Sequence, residues 1–486
     1  MGNHKLRRAI ALTAVLGGLG VSQASADVPV RAAQTANPFE RLDAFCVQQA
    51  PPLGVRNSNN PGVTPSSITI GDQSIDQAAL RRLGVVVADL SGLMNIYLSE
   101  INKCGGINGR RLVVKKALFN PTAPDQPGHQ QAICLKLTED AKAFVIMGGT
   151  SALLQRCMAI LHKSIVEAPF GVPSQDFKDA KGRIVSPSPA GDTLAEAFVE
   201  DAIRQGVLKG KKITVVSNNL VATSVGDARR DYIDLLKSKG IDADLEVLPC
   251  SGRVCSSGDG AAVRRMKDSG TNLIILSHAT TVATPGPLFN EMRRQNLKAQ
   301  IWGPDNTNVN TDVALTGVVS AATSDALSYI DDNGWYSVGL SRDINGAWRS
   351  GKYKDSEFAK MCHRTLAKAT GKPEIRYTNQ TIDDGTWSTP VGSCLTVRNM
   401  ARAIWSLGNN VTTERMVVAL RNLKDESRRD NVPMPKGLPS YYSANNLAPT
   451  VVTTMKFSYP CPLPTVDRTK GCMLPLDTPL RFRAVR

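Results

Sequence analysis

The sequence predicts an α/β protein built from two lobes, each with a parallel sheet. Short apolar runs typical of buried strands alternate with stretches in which apolar residues recur at three- and four-residue steps, as in amphipathic helices. Strands spaced by helices imply parallel sheets with right-handed crossovers. The alternation occurs in two series, separated near residues 183–189, and 486 residues are enough for two or three domains.

Residues 1–26 are predicted to be a secretory signal peptide. Three cations stand among the first eight residues, an apolar run covers 9–21, and small residues at 24–26 provide a cleavage site. General secretion is the favoured export route, with the twin-arginine route at Arg7-Arg8 as the alternative. No other run reaches the roughly 18 apolar residues of a membrane span. Since no cysteine follows the cleavage site, we expect a secreted chain that is neither lipid-anchored nor membrane-embedded.

The formal net charge of +15 bears on possible partners. An exported chain meets no genome, and no run of Lys and Arg with interleaved aromatic residues occurs, so nucleic acid is not an expected partner. Anionic polymers of the cell envelope are the partners that such a charge attracts.

Ten cysteines remain after the predicted cleavage. Their number is even and no CxxC pair occurs, which favours disulfides in an oxidising compartment over a zinc site. Disulfides between cysteines that are close in sequence are favoured. One longer disulfide is expected to join a glycine-rich corner to the next helix. Spacing alone does not fix the connectivity. The expected pairs are Cys250 with Cys255, Cys461 with Cys472, and Cys104 with Cys134.

The first structural elements follow a polar segment. Residues 27–65 are rich in Pro, Asn and Ser without sustained periodicity, which predicts a linker or loosely packed arm that Cys46 pins down. The first strand is predicted at 68–71. The first long helix is predicted over 86–101, where apolar residues recur at helical spacing.

The stretch "EINKCGGINGRR" ends this helix. Gly105 or Gly106 provides a left-handed C-cap, and Asn108-Gly109 turns the chain into the next strand. Further strands are predicted near 112–119, 143–147, 168–172, 213–217, 242–248, 272–277 and 300–303. Helices are predicted between them near 126–140, 151–164, 226–239, 260–269 and 286–296. Ligands of open α/β sheets bind beyond the carboxyl ends of the strands, so the site is expected in the loops after 147, 172, 217, 277 and 303.

The order of "ITIG", "EINKCGGINGRR", "AFVIMGGTS", "KKITVVS" and "NLIILS…MRRQNLKAQIWGPD" resembles the type I periplasmic binding proteins, particularly the leucine/isoleucine/valine-binding receptors of ABC transporters. The similarity runs from about residue 68 to about residue 424. It implies two Rossmann-like lobes that are joined by three crossing strands and close over a small solute. A transporter permease is then a possible partner.

The resemblance also implies domain boundaries. Lobe 1 would comprise 66–187 and 318–424, and lobe 2 would comprise 188–317 and 425–486, including a Pro-rich, disulfide-stapled tail. Two of the crossings would lie at 183–189 and 317–324.

In lobe 1 the candidate ligand contacts are Thr150 and Ser151 in "GGTSALL". At a strand–helix junction, backbone N–H groups, the helix dipole and hydroxyls together favour a ligand carboxylate. The alternative is that Ser151 only caps the helix. The resemblance adds Ser174 and Gln175 in the following loop.

In lobe 2 the candidates are Ser277 and, by the resemblance, Asp305 in "IWGPD", whose carboxylate would meet a ligand ammonium group. The alternative for Asp305 is a turn residue. His278 is a weaker candidate, since a lone loop histidine is typically just solvated. The neighbouring loops lack the aromatic residues of related amino-acid binders, which leaves the ligand's identity open.

Two other classes of function remain as alternatives. A hydrolase would use Ser151, but "GGTSA" lacks the second glycine of G-x-S-x-G and no His partner set is recognisable. No HExxH, Walker loop or dinucleotide fingerprint occurs at a strand end, so no metal or cofactor is expected. A secreted sensor or interaction protein on the same fold is the second alternative.

Overall fold

The structure is a computed structural model. It describes residues 37–48, 51–82, 89–120, 123–149, 151–169, 172–219, 224–249, 259–277, 285–304, 319, 321–339, 355–376, 388–423, 441, 443–444, 447, 451–462, 471–476 and 480–481. The predicted signal peptide lies outside these residues, and so do Thr150, His278 and Asp305.

The first sheet of the described chain has five strands, all parallel, in the order β2-β1-β3-β4-β5. Its strands are β1 Ser67–Asp72, β2 Arg111–Lys116, β3 Val145–Met147, β4 Ile165–Glu167 and β5 Ile184–Val185. β4 lies earlier than the strand predicted at 168–172. Ala168 and Val172 are fully buried in the loop that follows β4, so the apolar character of that segment reflects core packing and not a strand.

The second sheet has the order β12-β11-β10-β9-β8-β6-β7, with β13 paired to β11. It is parallel from β7 to β10, and β11, β12 and β13 add antiparallel pairs. Its strands are β6 Ile213–Asn218, β7 Ala243–Leu248, β8 Leu273–Leu276, β9 Gln300–Pro304, β10 Trp335–Gly339, β11 Val451–Ser458, β12 Cys472–Pro475 and β13 Leu480–Arg481.

Helices cover both faces of the two sheets, so each sheet lies between two apolar cores. The α-helices are Gln77–Arg82, Leu90–Lys103, Gln126–Leu135, Ala152–Gln155, Ser174–Asp179, Gly191–Arg204, Ser224–Ala228, Leu235–Ser238, Asp259–Asp268, Pro285–Gln295, Ser324–Asn333, Glu357–Thr370, Ser388–Ser406 and Thr413–Arg421. Turns of π-helix, at Lys136–Asp140, Arg156–Leu161 and Arg229–Asp234, continue or join some of them. Within the described parts of the chain, no helix has the length and apolarity needed to cross a bilayer.

Part of the segment predicted as a loosely packed arm belongs to the first core. Phe39 is fully buried and Phe45 is 5% exposed, and both pack with Tyr97 and its neighbours. Cys46 is bonded to Cys104. Single aromatic residues in a segment without periodicity predict neither a helix nor a strand. The sequence therefore does not show that these residues are buried.

The stretch after the first long helix ends that helix as predicted. Gly105 and Gly106 have φ of +89° and +76°, and the Gly106 N–H donates to Ile101 O at 3.0 Å. A Cβ on Gly106 would lie 2.0 Å from the carbonyl oxygen of Arg110, so only glycine fits there. The turn continues through Asn108, whose side-chain amide donates to Trp405 O at 3.0 Å.

The disulfides correct one expected pair and confirm another. Cys104 pairs with Cys46 and Cys134 pairs with Cys157, so the expected bridge between Cys104 and Cys134 is wrong. The arm brings Cys46 to the corner after the first long helix, which sequence spacing does not show. The described bonds are Cys46–Cys104, Cys134–Cys157, Cys362–Cys394 and the expected Cys461–Cys472.

The third expected pair is not among these bonds. Cys250 and Cys255 both lie outside the described residues, in the segment 250–258 between β7 and the helix Asp259–Asp268. The bridge from Cys250 to Cys255 therefore stays a prediction from the sequence.

Two segments lie in a different core from the one that the resemblance implied. Ser324–Asn333 and β10 pack with the second sheet, where Trp335 contacts Phe289 with 5.1 Å between ring centroids. They extend the parallel strand–helix–strand pattern by one unit beyond the predicted boundary near 317. Tyr441, which was placed with lobe 2, packs in the first core. The other domain boundaries stay predictions.

Candidate functional site

The carboxyl ends of β1, β3 and β4 meet at one edge of the first sheet. Asp72 is paired with Met147, and Met147 with Glu167. Three loops therefore leave the sheet from neighbouring positions, where open α/β sheets bind ligands. We call this place the first-sheet edge.

Asp72 fixes the loop after β1. The residue is 3% exposed, and its carboxylate accepts hydrogen bonds from Ser74 Oγ at 2.6 Å, from Asn95 Nδ2 at 3.1 Å and from Ser91 Oγ. Lys116 Nζ lies 3.9 Å from it. Because donors surround this carboxylate, its role here is to hold the loop in place.

The loop after β3 is the pair Gly148–Gly149. Gly148 has φ +85°, and a Cβ on it would lie 2.8 Å from Gln73 O. The Gly149 N–H donates to Glu167 O at 3.1 Å, and Gly149 O accepts from Gln155 Nε2 at 2.8 Å. Gly148 is therefore explained by its φ and the close approach of Gln73 O, and Gly149 is held from both sides by hydrogen bonds.

Ser151 follows this loop as the N-cap of the helix that begins at Ala152. Its Oγ accepts the Leu154 N–H at 3.2 Å and donates to Gln130 Oε1. Ser151 therefore caps this helix, and its contact with a solute stays a prediction. The cap satisfies one N–H of the first helical turn and leaves the others without an intrahelical acceptor.

Glu167 is a buried acid at the first-sheet edge that the sequence analysis missed. It is 6% exposed, and its carboxyl oxygens face the Gly148 N–H and Thr396 Oγ1, each at 3.4 Å. Burial raises the pKa of Glu167 to about 7, although these two donors oppose the rise. The signal that could have found it is the acid that closes the apolar run "SIVEAP".

Ser174 and Gln175 lie at the start of the helix Ser174–Asp179. The Ser174 N–H donates to Asp192 Oδ1 at 3.0 Å, and Ser174 Oγ donates to the same carboxylate. Gln175 is exposed, and its amide donates to Asp179 Oδ1 at 2.8 Å. Ser174 therefore joins the loop after β4 to the helix Gly191–Arg204, which packs against the second sheet.

Carboxylates gather around this contact. Asp176 is 2% exposed and lies 3.5 Å from Arg156 Nη1. Burial raises the pKa of Asp176, the charge of Arg156 opposes the rise, and the charges of Asp179, Asp227 and Asp192 add to it. Asp227 is itself paired with Arg230 at 3.0 Å, so cations as well as carboxylates lie here.

In the second sheet, buried polar residues lie at the carboxyl ends of β6 and β8. Ser217 Oγ donates to Ser224 O at 3.2 Å, and the Ser277 N–H donates to Val216 O at 3.0 Å. Ser277 is 2% exposed. Ser277 lies directly after β8, where the sequence predicts a loop of the site, and next to the carboxyl end of β6.

Only one group of described side chains has the mutual spacing of metal ligands, namely Cys134, Cys157 and His162. The two sulfur atoms are joined in a disulfide, so they offer no thiolate. The described residues therefore hold no set of free donors for a metal at this place.

No protein-family model and no curated protein matches the chain. Several solved structures match the chain in fold. A solute-binding protein of an ABC transporter from Rhodopseudomonas palustris, in complex with p-hydroxybenzoic acid, is 14% identical, with 86% of this chain and 97% of that chain covered and a TM-score of 0.57. The fatty acid ABC transporter substrate-binding protein from Thermomonospora curvata is 14% identical, with 88% and 95% covered and a TM-score of 0.54.

A third structure, the ABC transporter substrate-binding protein from Desulfitobacterium hafniense in complex with Leu, is 12% identical, with 84% and 100% covered and a TM-score of 0.52. Identities this low show a shared fold. Together with the two parallel sheets and their helical layers, they confirm the resemblance seen in the sequence at that level: the chain has the two-lobe, type I periplasmic binding fold of ABC-transporter substrate-binding proteins.

Proposed function

We propose that the chain is an exported solute-binding protein that captures a small polar solute between its lobes by hinge closure, for uptake through an ABC transporter. The observation that supports this most is the convergence of three well-held loops at the first-sheet edge, in a fold shared with transport receptors. Ligand contacts in both lobes would lower the free energy of the closed state and shift the hinge equilibrium. The described disulfides are typical of an extracytoplasmic compartment.

The proposed solute carries a carboxylate, as amino acids do. The first turn of the helix after Ser151 has N–H groups without intrahelical acceptors and the positive end of the helix dipole. For an amino acid, Asp305 is the proposed carboxylate that meets the ammonium group. Thr150, Ser151, Ser174, Gln175, Ser277 and Asp305 stay the proposed contacts. The likeness to proteins in complex with Leu and with p-hydroxybenzoic acid makes these two compounds the first to test.

A hydrolase is less well supported by the geometry. The Ser151 hydroxyl donates to the side-chain carbonyl of Gln130, and an amide is not a general base. The nearby His129 accepts the Asn120 N–H through Nε2 at 2.8 Å, so that nitrogen is engaged elsewhere. We therefore infer a binding protein and not an enzyme.

A thermal-shift screen tests the proposal. Purified chain is heated with amino acids, amides, hydroxybenzoates and short peptides, and a solute that binds only the folded state raises Tm. At a concentration 100 times Kd the stabilisation is about 2.7 kcal/mol. A well-folded chain whose Tm no solute changes would contradict uptake and favour the secreted sensor or interaction protein. Ester hydrolysis by the wild type that is lost in Ser151→Ala would support the hydrolase alternative.

A further inference from the structure

We propose that Glu167 is a positioning residue that joins the Gly148–Gly149 loop to the chain segment at Tyr441, and that ionisation of its carboxyl group loosens both. Because this loop lies at the proposed solute site, the inference rests on the proposed function. It adds to that function a dependence of solute affinity on pH.

One residue holds both amides of the loop. The main-chain oxygen of Glu167 accepts the Gly149 N–H at 3.1 Å, and its side-chain Oε2 accepts the Gly148 N–H at 3.4 Å. The second contact is long for a hydrogen bond, so the main-chain bond is the stronger of the two. The helix that begins at Ala152 follows directly, so a shift of the loop displaces its first turn.

The other side of the carboxyl group faces a link between the lobes. Thr396 Oγ1 donates to Glu167 Oε1 at 3.4 Å, and the Tyr441 hydroxyl donates to Thr396 O at 3.3 Å. Further along, Leu447 O accepts from the Ala190 N–H at 3.0 Å, and the chain enters the second sheet at Val451. Tyr441 therefore anchors, in the first core, a segment that passes to the second sheet.

Glu167, Thr396 and Tyr441 line one cavity of about 10 Å³, which is room for at most about one water molecule. The rest of its wall is apolar. Val145 and Val185 face it from the strands, and Met400 and Met416 face it from the helices Ser388–Ser406 and Thr413–Arg421. Because at most one water molecule fits, fuller hydration of an ionised carboxylate in this space requires Tyr441 or another lining residue to move.

The titratable groups near Glu167 are few. Tyr441 is the one that lines the same cavity, and its pKa is raised by burial and by Glu167. Arg402 acts on Tyr441 from the helix Ser388–Ser406, where it pairs with Glu40. Among the described residues, no cation forms an ion pair with Glu167 itself. Burial, which raises the pKa of Glu167 to about 7, is thus not offset by an opposite charge.

The test compares the full chain with Glu167→Gln, which keeps the shape and the hydrogen-bonding capacity but not the ionisation, and with Glu139→Gln as an exposed control. The probes are L-leucine and 4-hydroxybenzoate, titrated calorimetrically at pH 5.5 and 8.5. For whichever probe binds, the affinity should fall about tenfold at the higher pH in the wild type and in Glu139→Gln. The affinity of Glu167→Gln should change much less between the two pH values. Equal pH profiles for wild type and Glu167→Gln would overturn the proposal.

A second measurement does not need a solute. Hydrogen exchange of the peptide that spans 145–155, corrected for the intrinsic pH effect, should lose protection above pH 7 in the wild type and keep it in Glu167→Gln. Tyr441→Phe removes only the hydroxyl group. This variant should show part of the decrease in exchange protection already at low pH. If neither probe binds but exchange protection depends on pH as described, the proposed solute class is wrong. The coupling of Glu167 ionisation to the glycine loop is then still supported. Protection that is independent of pH in the wild type refutes the coupling.

Discussion

Arg110 and Glu167 are two buried charged residues at opposite ends of the first sheet. Arg110 precedes β2 at the amino end, is fully buried and donates five hydrogen bonds, to Thr64 O, Gly408 O, Asn409 O and both oxygens of Asn57. Glu167 closes β4 at the carboxyl end and has two side-chain contacts, both at 3.4 Å. The Arg110 guanidinium is thus saturated with hydrogen bonds, whereas the Glu167 carboxyl group is weakly held.

The difference separates a structural group from a responsive one. Burial and the charge of Arg56 lower the pKa of Arg110 to about 10, so it stays charged at every ordinary pH. Burial raises the pKa of Glu167 to about 7, where small changes of pH alter its charge. The amino end therefore stabilises the lobe under all conditions, whereas the carboxyl end, where the proposed solute binds, changes with its surroundings.

Replacing Arg110 should have the largest effect on stability. Arg110→Met removes a fully buried side chain that donates five hydrogen bonds to three segments, which should lower the free energy of unfolding by about 4 kcal/mol. Urea unfolding followed by circular dichroism measures this. The exposed neighbour Arg111 is the matched control, and Arg111→Met should change stability by less than about 0.5 kcal/mol. Similar losses for both variants would show that the network at the amino end adds little.

Gly106→Ala tests the corner next to Arg110 and should cost about 3 kcal/mol. Its φ is +76°, and the new Cβ would lie 2.0 Å from Arg110 O, so backbone strain and a steric clash add together. Gly210 has φ +68° but open space around the position of its Cβ, so Gly210→Ala isolates the strain at about 1 kcal/mol. The same urea titration compares them. If the two variants are equally stable, the close approach of residues 106 and 110 does not constrain the corner.

The sequence predicts most of the fold because its signals are local. The apolar runs "ITIG" and "KKITVVS" become β1 and β6, and the glycines at 105 and 106 end the first long helix. What local patterns cannot show is contact between distant segments. The bond of Cys46 to Cys104 and the burial of Phe39 depend on such contacts, and so does the addition of β10 to the second sheet.

The candidate site was predicted less completely. Ser151 stands at the predicted junction, and the structure gives its hydroxyl a capping role. Glu167 went unnoticed because an acid at the end of a short apolar strand is ordinary in sequence. Its importance comes from the helices that bury it, which bring Thr396 to within 3.4 Å.

Glu167 predicts a dependence of stability on pH. Its pKa is about 7 in the folded chain against an ordinary value of 4.5, so between these values the folded state binds the proton more strongly than the unfolded state does. Stability is therefore greatest below pH 4.5 for this group and is lost as pH rises through about 7, by roughly 3 kcal/mol. Urea unfolding at pH 5 and pH 8 should show this loss in the wild type and not in Glu167→Gln. A loss that persists in Glu167→Gln assigns it to other groups.

The smallest expected effect on stability concerns Ser151, where the cap and the solute contact can be separated. Ser151→Ala removes the bond to the Leu154 N–H and should cost about 1 kcal/mol. Ser151→Asn and Ser151→Asp both retain a good cap and should change stability by less than about 0.5 kcal/mol, with Asp favoured by the helix dipole. Because a negative charge at the helix start repels a carboxylate, Ser151→Asp should weaken L-leucine binding by about tenfold relative to Ser151→Asn. Equal affinities in these two variants would place the solute's carboxylate away from the first-sheet edge and leave Ser151 as a cap alone.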